Sequence, residues 1–362
     1  MNKNSKKTRG IQAAGTSQAV IIGIDIGDRV SHSCALDEAG EVTERFKIAT
    51  SRQTFNDCFE KMNPLTVVIE VGTHSPWISR LLKSLGHRVV VANANRIKAI
   101  HKALNKSDKR DAEFLARLGR ADEKLLAPLK HRGERAQAHR AMMGARNNLV
   151  ECRTKLINCV RGTVKAFGER LPNCSAASFA DKSRPLIPQP LRSALGPLIG
   201  TIDELTLRIK ALDKKLKKLC ERYYPETELL LQVPGVGPLT ALSFVLTIED
   251  PDRFANSRDV GPYLGLVPRQ HSSGDSEPQL HITRAGDVYL RKLLVQAAHY
   301  QLGCFGPDSD LRRHGLRIAE RGGKNAKKRA VVAVARKLSV LLHRLWVDGA
   351  EYDVLYAEKR AA

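Results

Sequence analysis

The order of short apolar segments between residues 19 and 93 is the feature that most restricts the fold of this chain. Three β-rich segments separated by Gly-Asp and Glu-Ala-Gly turns come first, and two further apolar segments then alternate with helical patterns. Strands are expected at residues 19–27, 30–37, 42–49, 65–71 and 87–93, and helices at 51–62 and 75–85. Tight turns join antiparallel strands, whereas a helical crossover joins parallel ones. The order β-β-β-α-β-α-β therefore predicts a mixed sheet covered on both faces.

Charge and composition narrow the class of protein. The length of 362 residues exceeds one ordinary hydrophobic core and predicts two or three domains. Sixty Lys and Arg against 38 Asp and Glu give a net charge of +22. Because this charge is spread along the chain, it favours nucleic acid as a partner over a merely solubilising surface. Seven cysteines without a C-x-x-C pair indicate reduced thiols, and neither a disulfide framework nor a zinc site. No segment is apolar for long enough to span a membrane, so a cytoplasmic, nucleoid-associated protein is expected.

The sequence pattern divides the chain into four regions. Residues 1–17 are polar and basic, and they are expected to form a disordered tail. Residues 18–125 carry the strand patterns and predict an α/β domain. Residues 126–224 have helical periodicity, and residues 225–362 predict a compact, mainly α-helical domain that includes the basic segment 312–338.

Two apolar heptad stripes mark the middle region. The first contains Met142, Ala145, Leu149, Cys152, Leu156 and Cys159, and the second contains Ile202, Leu205, Ile209, Leu212, Leu216, Leu219 and Tyr223. Apolar residues alternately three and four apart on two long helices predict an antiparallel coiled-coil arm or a dimerising pair. The core of an ordinary helical bundle produces the same pattern, so both interpretations stand.

Four acidic residues stand out in so basic a chain. Asp25 lies on the first expected strand, in the motif GIDIG, and Glu70 lies at the end of the fourth. When a helical crossover follows a meander, the fourth strand returns beside the first, so both carboxylates are expected at one end of the sheet. Asp108 and Asp111, three residues apart at an expected helix start, share one helix face. They are either capping residues or half of a divalent-metal site completed by the strand acids.

The motif GIDIG also has a competing interpretation. It opens the phosphate-binding hairpin of sugar kinases and actin-like ATPases, which share this strand order. Those proteins need a second, similar ATP-binding half, whereas the pattern after residue 126 is helical. A metal site is the better interpretation of Asp25, because a lone buried carboxylate on a strand is costly.

Two motifs of the C-terminal region indicate contacts with phosphate. Residues 229–245, LLLQVPGVGPLTALSFV, predict two helices joined by a turn in which Gly235 and Gly237 let backbone amides approach an anionic oxygen. A plain tight turn between helices is the alternative. A Ser-Ser-Gly loop follows, and beyond it lie the cationic residues Arg284, Arg291 and Lys292.

The order of these motifs resembles a known family. D-x-G, I-E, S-D-x-x-D-A, P-G-V-G-P and Y-L-G-L-x-P-R-x-x-S-S-G follow one another in this chain, which is similar to the DEDD-type insertion-sequence transposases, the family of bridge-RNA-guided recombinases. The strand order likewise resembles the RNase H-like (RuvC-like) fold, and the P-G-V-G-P turn resembles a helix-hairpin-helix. The chain departs from the pattern at Gly286-Asp287, where many relatives have Gly-Asn, and its serine loop carries Asp275 and Glu277.

The resemblance implies roles for individual residues. It implies a catalytic, metal-binding tetrad that consists of Asp25, Glu70, Asp108 and Asp111. It also implies that Ser273, the serine before glycine, is the nucleophile that becomes joined to a DNA end, although the adjacent Ser272 is chemically identical. The DNA contacts are expected at Gly235, Gly237, Arg284, Arg291 and Lys292.

The resemblance implies partners as well. These are Mg²⁺ or Mn²⁺ as the cofactor, the DNA of the element ends and the target, a noncoding guide RNA, and further copies of the chain in a dimer or tetramer. Two alternatives use the same residues differently. A RuvC-like structure-selective nuclease would use water in place of the serine, and a non-catalytic nucleic-acid-binding protein would use the acids only as helix caps.

Overall fold

The computed structural model describes residues 19–100, 108–270 and 280–356 of the protein. The expected tail of residues 1–17 lies outside these ranges. The chain divides into two compact units, Met1–Gly133 and Glu134–Ala362. Across the described ranges, each helix is too short or too polar to cross a membrane.

Five strands form one mixed sheet in the described part of the first unit. They are β1 Ile21–Asp25, β2 Val30–Leu36, β3 Val42–Ala49, β4 Thr66–Glu70 and β5 Arg88–Ala92. Their order is β3-β2-β1-β4-β5. The turn-connected pairs β1–β2 and β2–β3 are antiparallel, and the pairs β1–β4 and β4–β5 are parallel. The predicted mixed sheet is confirmed, because tight turns produce the first pairs and helical connections the others.

Helices cover both faces of this sheet. They are α1 Arg52–Phe59, α2 Ser75–Ser84, α3 Ala94–Ile100 and α4 Asp108–Ala121. Successive side chains of a strand point to opposite faces, so Ile22 and Ile24 pack with the α1 and α2 side chains, whereas Ile21 packs with those of α4. Residues 23 and 25 therefore belong to the α4 face of the sheet.

The described part of the second unit is helical. Its helices are α5 Glu134–Ala166, α6 Phe179–Ser183, α7 Arg192–Tyr223, α8 Thr227–Leu231, α9 Pro238–Ile248, α10 Val260–Tyr263, α11 Val288–Leu302, α12 Asp310–Glu320 and α13 Ala326–Asp348. One hydrophobic core joins the start of α5 and the end of α7 to the helices that follow, through residues such as Met143, Leu216, Phe244 and Val334. The two long helices therefore belong to the same unit as the C-terminal helices.

The helices α5 and α7 form an antiparallel pair within one chain. Arg146 on α5 bonds to Asp213 on α7, at 2.8 Å between Nε and Oδ1, whereas the later residue Arg153 bonds to the earlier Thr206 at 3.1 Å. Contacts that run in opposite directions along the two helices show the antiparallel arrangement. The α7 stripe is confirmed, with Ile202, Ile209 and Leu216 buried.

The stripe predicted on α5 is wrong by one residue. Cys152 and Cys159 are exposed, and the residues that face α7 and its neighbours are instead Met143, Ile157, Val160 and Val164. Two positions of the true seam are held by the arginines that bond to α7. A search for apolar heptads passes over such positions and selects the adjacent stripe.

Candidate active site and nucleic-acid interface

Asp25 and Glu70 end two neighbouring parallel strands. The register of β1 and β4 pairs Ile24 with Ile69, so the next residues along the two strands, Asp25 and Glu70, lie side by side. Both residues are half-buried, in contrast to the fully buried residues that precede them. The structure thus brings these two predicted site residues together at the carboxyl end of the sheet.

Gly23 explains why the helix α4 lies so close to β1. A β-carbon added at Gly23 would lie 2.1 Å from the carbonyl oxygen of Ala112 and 2.5 Å from the amide nitrogen of Ala116. Only glycine permits such a close approach of two backbones. Because Asp25 follows Gly23 by two residues, its side chain leaves the strand on the face that α4 covers.

The helix α4 runs antiparallel to β1. Near its start, Ala112 contacts Gly23, whereas further along, a β-carbon on Gly119 would lie 2.5 Å from Cγ2 of Val68 and 3.2 Å from Cδ1 of Ile21. The start of α4 is therefore directed toward the carboxyl end of β1. The helix begins at Asp108, whose side chain lies outside the described atoms, and Asp111 is half-buried one turn later.

The carboxylates of the four acids are the hard oxygen ligands that Mg²⁺ prefers. Among the described side chains, no three His, Cys, Asp or Glu residues are gathered closely enough to hold one ion. Asp25, Glu70 and Asp111 are among those side chains, whereas the side chain of Asp108 is not described. The donor type therefore fits the cation, whereas the three described carboxylates are not gathered around one point and the coordination stays a prediction.

Glu113 has a different role from the acids before it on α4. Its carboxylate accepts hydrogen bonds from Arg45 on β3 at 2.6 Å and from Arg117 at 2.9 Å. The hydrogen bond from Arg45 lowers the pKa of Glu113, against the opposing effect of burial. Glu113 thus stays ionised and ties α4 to the antiparallel side of the sheet.

Histidines beside the strand ends escaped the sequence analysis. His32 on β2 lies opposite Asp25 in the antiparallel register. His74, in the loop after β4, lies 3.3 Å from Oδ1 of Asp28 in the turn after β1, and Nε1 of Trp77 donates to its Nδ1 at 3.1 Å. These contacts join the two loops that follow the strand acids. A search for polar residues three to four positions beyond each strand acid would have found His74 and Asp28.

The turn between α8 and α9 is confirmed as a tight helix connection. Gly235 has φ +83°, and a β-carbon there would lie 2.9 Å from Cδ1 of Tyr300, so this position requires glycine. Gly237 precedes the first residue of α9, Pro238, and has open space where a side chain would stand. The start of α9 is therefore accessible to a ligand at Gly237.

A short antiparallel stem carries the serine loop. Pro268 and Ile282 form a β-bridge. The amide of Arg269 donates to the carbonyl oxygen of His281 at 3.0 Å, and the amide of Thr283 donates to the carbonyl oxygen of Val267 at 2.9 Å. The predicted nucleophile, with residues 271–279, lies outside the described ranges. The stem shows where this loop leaves the domain.

The three cations after the loop have different surroundings. Nη1 of Arg291 donates to the carbonyls of Leu264 at 3.0 Å and Ala285 at 2.5 Å, and burial lowers its pKa. Arg291 therefore holds the backbone at the base of the stem. Arg284 is exposed, and Lys292 lies 4.0 Å from Glu151 with about half of each side chain exposed (52%).

Asp287, where this chain departs from the motif, has a structural explanation. Its side chain accepts the amide hydrogen of Leu290 at 2.7 Å and so caps the start of α11. It also forms an ion pair with Arg140 on α5, which donates to Oγ1 of Thr247 at 2.9 Å. The carboxylate thus joins three helices of the second unit.

The comparisons with known proteins cover both parts of the chain. A family described as "Transposase" matches residues 22–168, and a family described as "Transposase IS116/IS110/IS902 family" matches residues 227–311. The first match spans the sheet acids and α5, and the second spans the turn between α8 and α9 and the stem of the serine loop.

Individual relatives match over nearly the whole chain. The transposase for insertion sequence element IS1111A of Coxiella burnetii is 31% identical, over 90% of this chain and 89% of that protein. A putative transposase of Sinorhizobium fredii is 31% identical, over 92% and 86%, and a probable family 20 transposase of Pseudomonas aeruginosa is 28% identical, over 90% and 96%. The chain therefore belongs to the IS116/IS110/IS902 family of insertion-sequence transposases.

Proposed function

We propose that this transposase cleaves and exchanges DNA strands in a Mg²⁺- or Mn²⁺-dependent reaction, and that its first unit is an RNase H-like (RuvC-like) domain. The observation that carries the proposal is the placement of Asp25 beside Glu70 at the carboxyl ends of parallel strands. The start of α4, with Asp108 and Asp111, approaches that end on the same face. Helix caps alone do not explain why two strands end in adjacent carboxylates.

The four carboxylates would hold the metal ion and orient the scissile phosphate. A bound divalent cation neutralises charge on the phosphate oxygens and so lowers the barrier to attack at phosphorus. The side chains of Asp25 and Glu70 would provide well-anchored ligands, because both strands are buried up to these residues. The tight contact between α4 and β1 supports the proposal, because it directs the start of α4 toward the same end of the sheet.

Ser273 would act as the nucleophile. Its Oγ attacks the phosphorus, the bond from phosphorus to one deoxyribose oxygen breaks, and the released strand end takes a proton while the serine hydroxyl loses one. The resulting phosphodiester between serine and DNA retains the energy of the broken bond. Strand exchange can therefore proceed without ATP.

The remaining residues would bind nucleic acid. We infer that Gly235 and Gly237 form a helix-hairpin-helix turn that contacts a DNA phosphate, an assignment supported by the open space at Gly237. Arg284 and Lys292 are exposed and suited to phosphate contacts, whereas Arg291 supports them through the backbone. We also propose that the protein has a noncoding guide RNA as a partner, and that it acts in the nucleoid as a dimer or tetramer.

The test is DNA cleavage by the Asp25→Asn protein. Asparagine preserves the size of the side chain and removes the charge that a metal ion requires, so cleavage of a cognate element end in Mg²⁺ should fall to background while DNA binding persists. Asp57→Asn, an exposed change on α1, is the matched control and should cleave normally. If the Asp25→Asn protein is folded and still cleaves DNA, the proposal is wrong and the carboxylates have a non-catalytic role.

A further inference from the structure

A cleft of about 1110 Å³ runs along α13 in the second unit. The helix α12 forms one wall, and Leu280, His281 and Ile282 of the serine-loop stem form another. Pockets for small molecules have volumes of about 300–1,000 Å³. The volume and the elongated lining, which follows α13 for most of its length, suit a chain-like ligand.

Positive charge is concentrated along one half of the cleft. Its cationic lining includes Arg284, Arg321, Lys328, Arg329, Arg336 and Lys337. Acidic residues line the opposite end, where the amide of Asp310 donates to the carbonyl of Val354 at 3.0 Å and Arg344 pairs with Asp348 at 3.1 Å. The cleft is therefore polarised, with cations around the first half of α13.

The pKa of His314 on α12 is lowered by burial and, in part, by this positive charge. Its half-buried side chain lines the cleft, and burial lowers its pKa, with further lowering by Lys337, Arg317 and Arg321. A neighbouring positive potential disfavours the charged form of a histidine. The same potential attracts anionic groups.

The floor of the cleft is apolar. It is lined by half-buried side chains from α12, α13 and the stem, which are Ile282, Ile318, Val332, Ala333, Val340 and Leu341. A contiguous apolar surface that stays open to solvent marks a binding site. Duplex DNA would leave this floor uncovered, because its bases are stacked inside and its phosphates lie outside. An unpaired strand has free base faces as well as phosphates.

We propose that this cleft binds an unpaired segment of DNA, with its phosphates on the cations and its bases against the apolar floor. The choice of DNA rests on the proposed function, in which the neighbouring serine loop becomes joined to a DNA end. The choice of an unpaired strand rests on the combination of cationic lining and apolar floor. An acidic peptide would match the cations but would not supply repeated flat apolar faces. Because the stem forms one wall, the bound strand lies beside the base of the serine loop.

Fluorescence anisotropy with full-length protein tests the proposal. The probes are a labelled DNA strand of about ten nucleotides, within the usual site sizes for unpaired strands, its duplex form, and the ribonucleotide version of the strand. A chelator in the buffer removes divalent cations, so the measurement does not depend on strand cleavage. Because other surfaces of the protein are proposed to bind duplex DNA and RNA, the cleft is tested by the loss of affinity that a change in it causes for each probe.

Two variants probe the cations and the floor. Lys328→Glu combined with Lys337→Glu reverses two charges in the cleft, and Ala333→Trp fills the floor. The charge variant should weaken unpaired-DNA binding by about tenfold or more, because phosphate contacts dominate affinity. Its matched control, Lys217→Glu with Lys218→Glu on exposed α7 positions, should have a much smaller effect. Ala333→Trp should weaken the binding of the unpaired strand and leave the binding of the duplex unchanged. Ala333→Ser should leave the binding of both probes unchanged.

Equal losses in the cleft and control variants, or a loss from Ala333→Trp that is as large for the duplex or the ribonucleotide strand as for the unpaired DNA, would overturn the proposal. Circular dichroism verifies that each variant is folded. Metal-dependent cleavage is measured separately with the wild-type protein and Asp25→Asn. Binding of unpaired DNA that depends on the cleft residues, without any cleavage activity, would contradict the proposed function alone.

Discussion

A β-carbon at Gly23 would lie 2.1 Å from the carbonyl oxygen of Ala112, so the strand β1 and the helix α4 touch through their backbones. Asp25 follows Gly23 by two residues, and Asp111 immediately precedes Ala112. The contact that requires glycine therefore also brings the backbone next to Asp111 close to the strand that carries Asp25. A change at this contact is therefore expected to shift the helix carboxylates relative to the strand carboxylates.

Gly23→Ala should destabilise the first unit and abolish cleavage. The added methyl group must displace backbone atoms of α4, and overpacking of this kind costs about 1–3 kcal/mol. Urea denaturation measures the stability of the variant, and Gly144→Ala, on an open position of α5, is the control. The control should be neutral or more stable, because alanine favours helices over glycine. A Gly23→Ala protein as stable and active as the wild type would contradict this account of the contact.

The stabilising effect of Glu113 should depend on pH. Its pKa is lowered in the folded protein by the hydrogen bond from Arg45, so the Glu113 carboxylate binds a proton more tightly in the unfolded chain than in the folded protein. A group with a lowered folded-state pKa stabilises the fold above its unfolded pKa, about 4.3 for Glu, and loses that contribution as the pH falls through the folded value. The difference in melting temperature between wild type and Glu113→Gln should therefore be constant near neutral pH and shrink in acid. A difference that grows in acid would have the wrong sign.

The positions of the strand acids followed from the sequence, whereas several contacts did not. Turn and crossover lengths predict that β1 and β4 are neighbours, and this adjacency places Asp25 beside Glu70. The role of Arg291 depends on the carbonyls of Leu264 and Ala285, which come together only in the folded chain. No periodicity or spacing in a sequence encodes such a contact between two loops.

The seam between α5 and α7 can be tested with two nearby residues. Ile157 is 8% exposed, whereas Cys159 belongs to the stripe predicted from the heptads and is exposed. Ile157→Asp buries an unpaired charge and should cost several kcal/mol, whereas Cys159→Asp should change the unfolding free energy by about 0.5 kcal/mol or less. Urea denaturation compares the two proteins. The reverse order would restore the predicted stripe as the seam.

Ser273 distinguishes a recombinase from a nuclease that uses the same carboxylates. The stem of its loop is closed by the bridge between Pro268 and Ile282 and by the amide of Arg269, so the loop leaves the domain at one defined place beside the cationic cleft. The protein, incubated with its RNA, a cognate DNA end and Mg²⁺, should form a covalent protein–DNA adduct. Peptide mass analysis identifies the residue that carries the DNA.

The neighbouring serine provides the matched control for this prediction. Ser273→Ala should lose the adduct and all strand exchange, because no other atom of that side chain can attack phosphorus. Ser272→Ala removes a chemically identical hydroxyl one residue away, and it should retain at least part of both activities. An adduct on Ser272 would move the nucleophile by one position. Free DNA ends from both alanine variants would show that water attacks the phosphate, and the protein would then be a structure-selective nuclease.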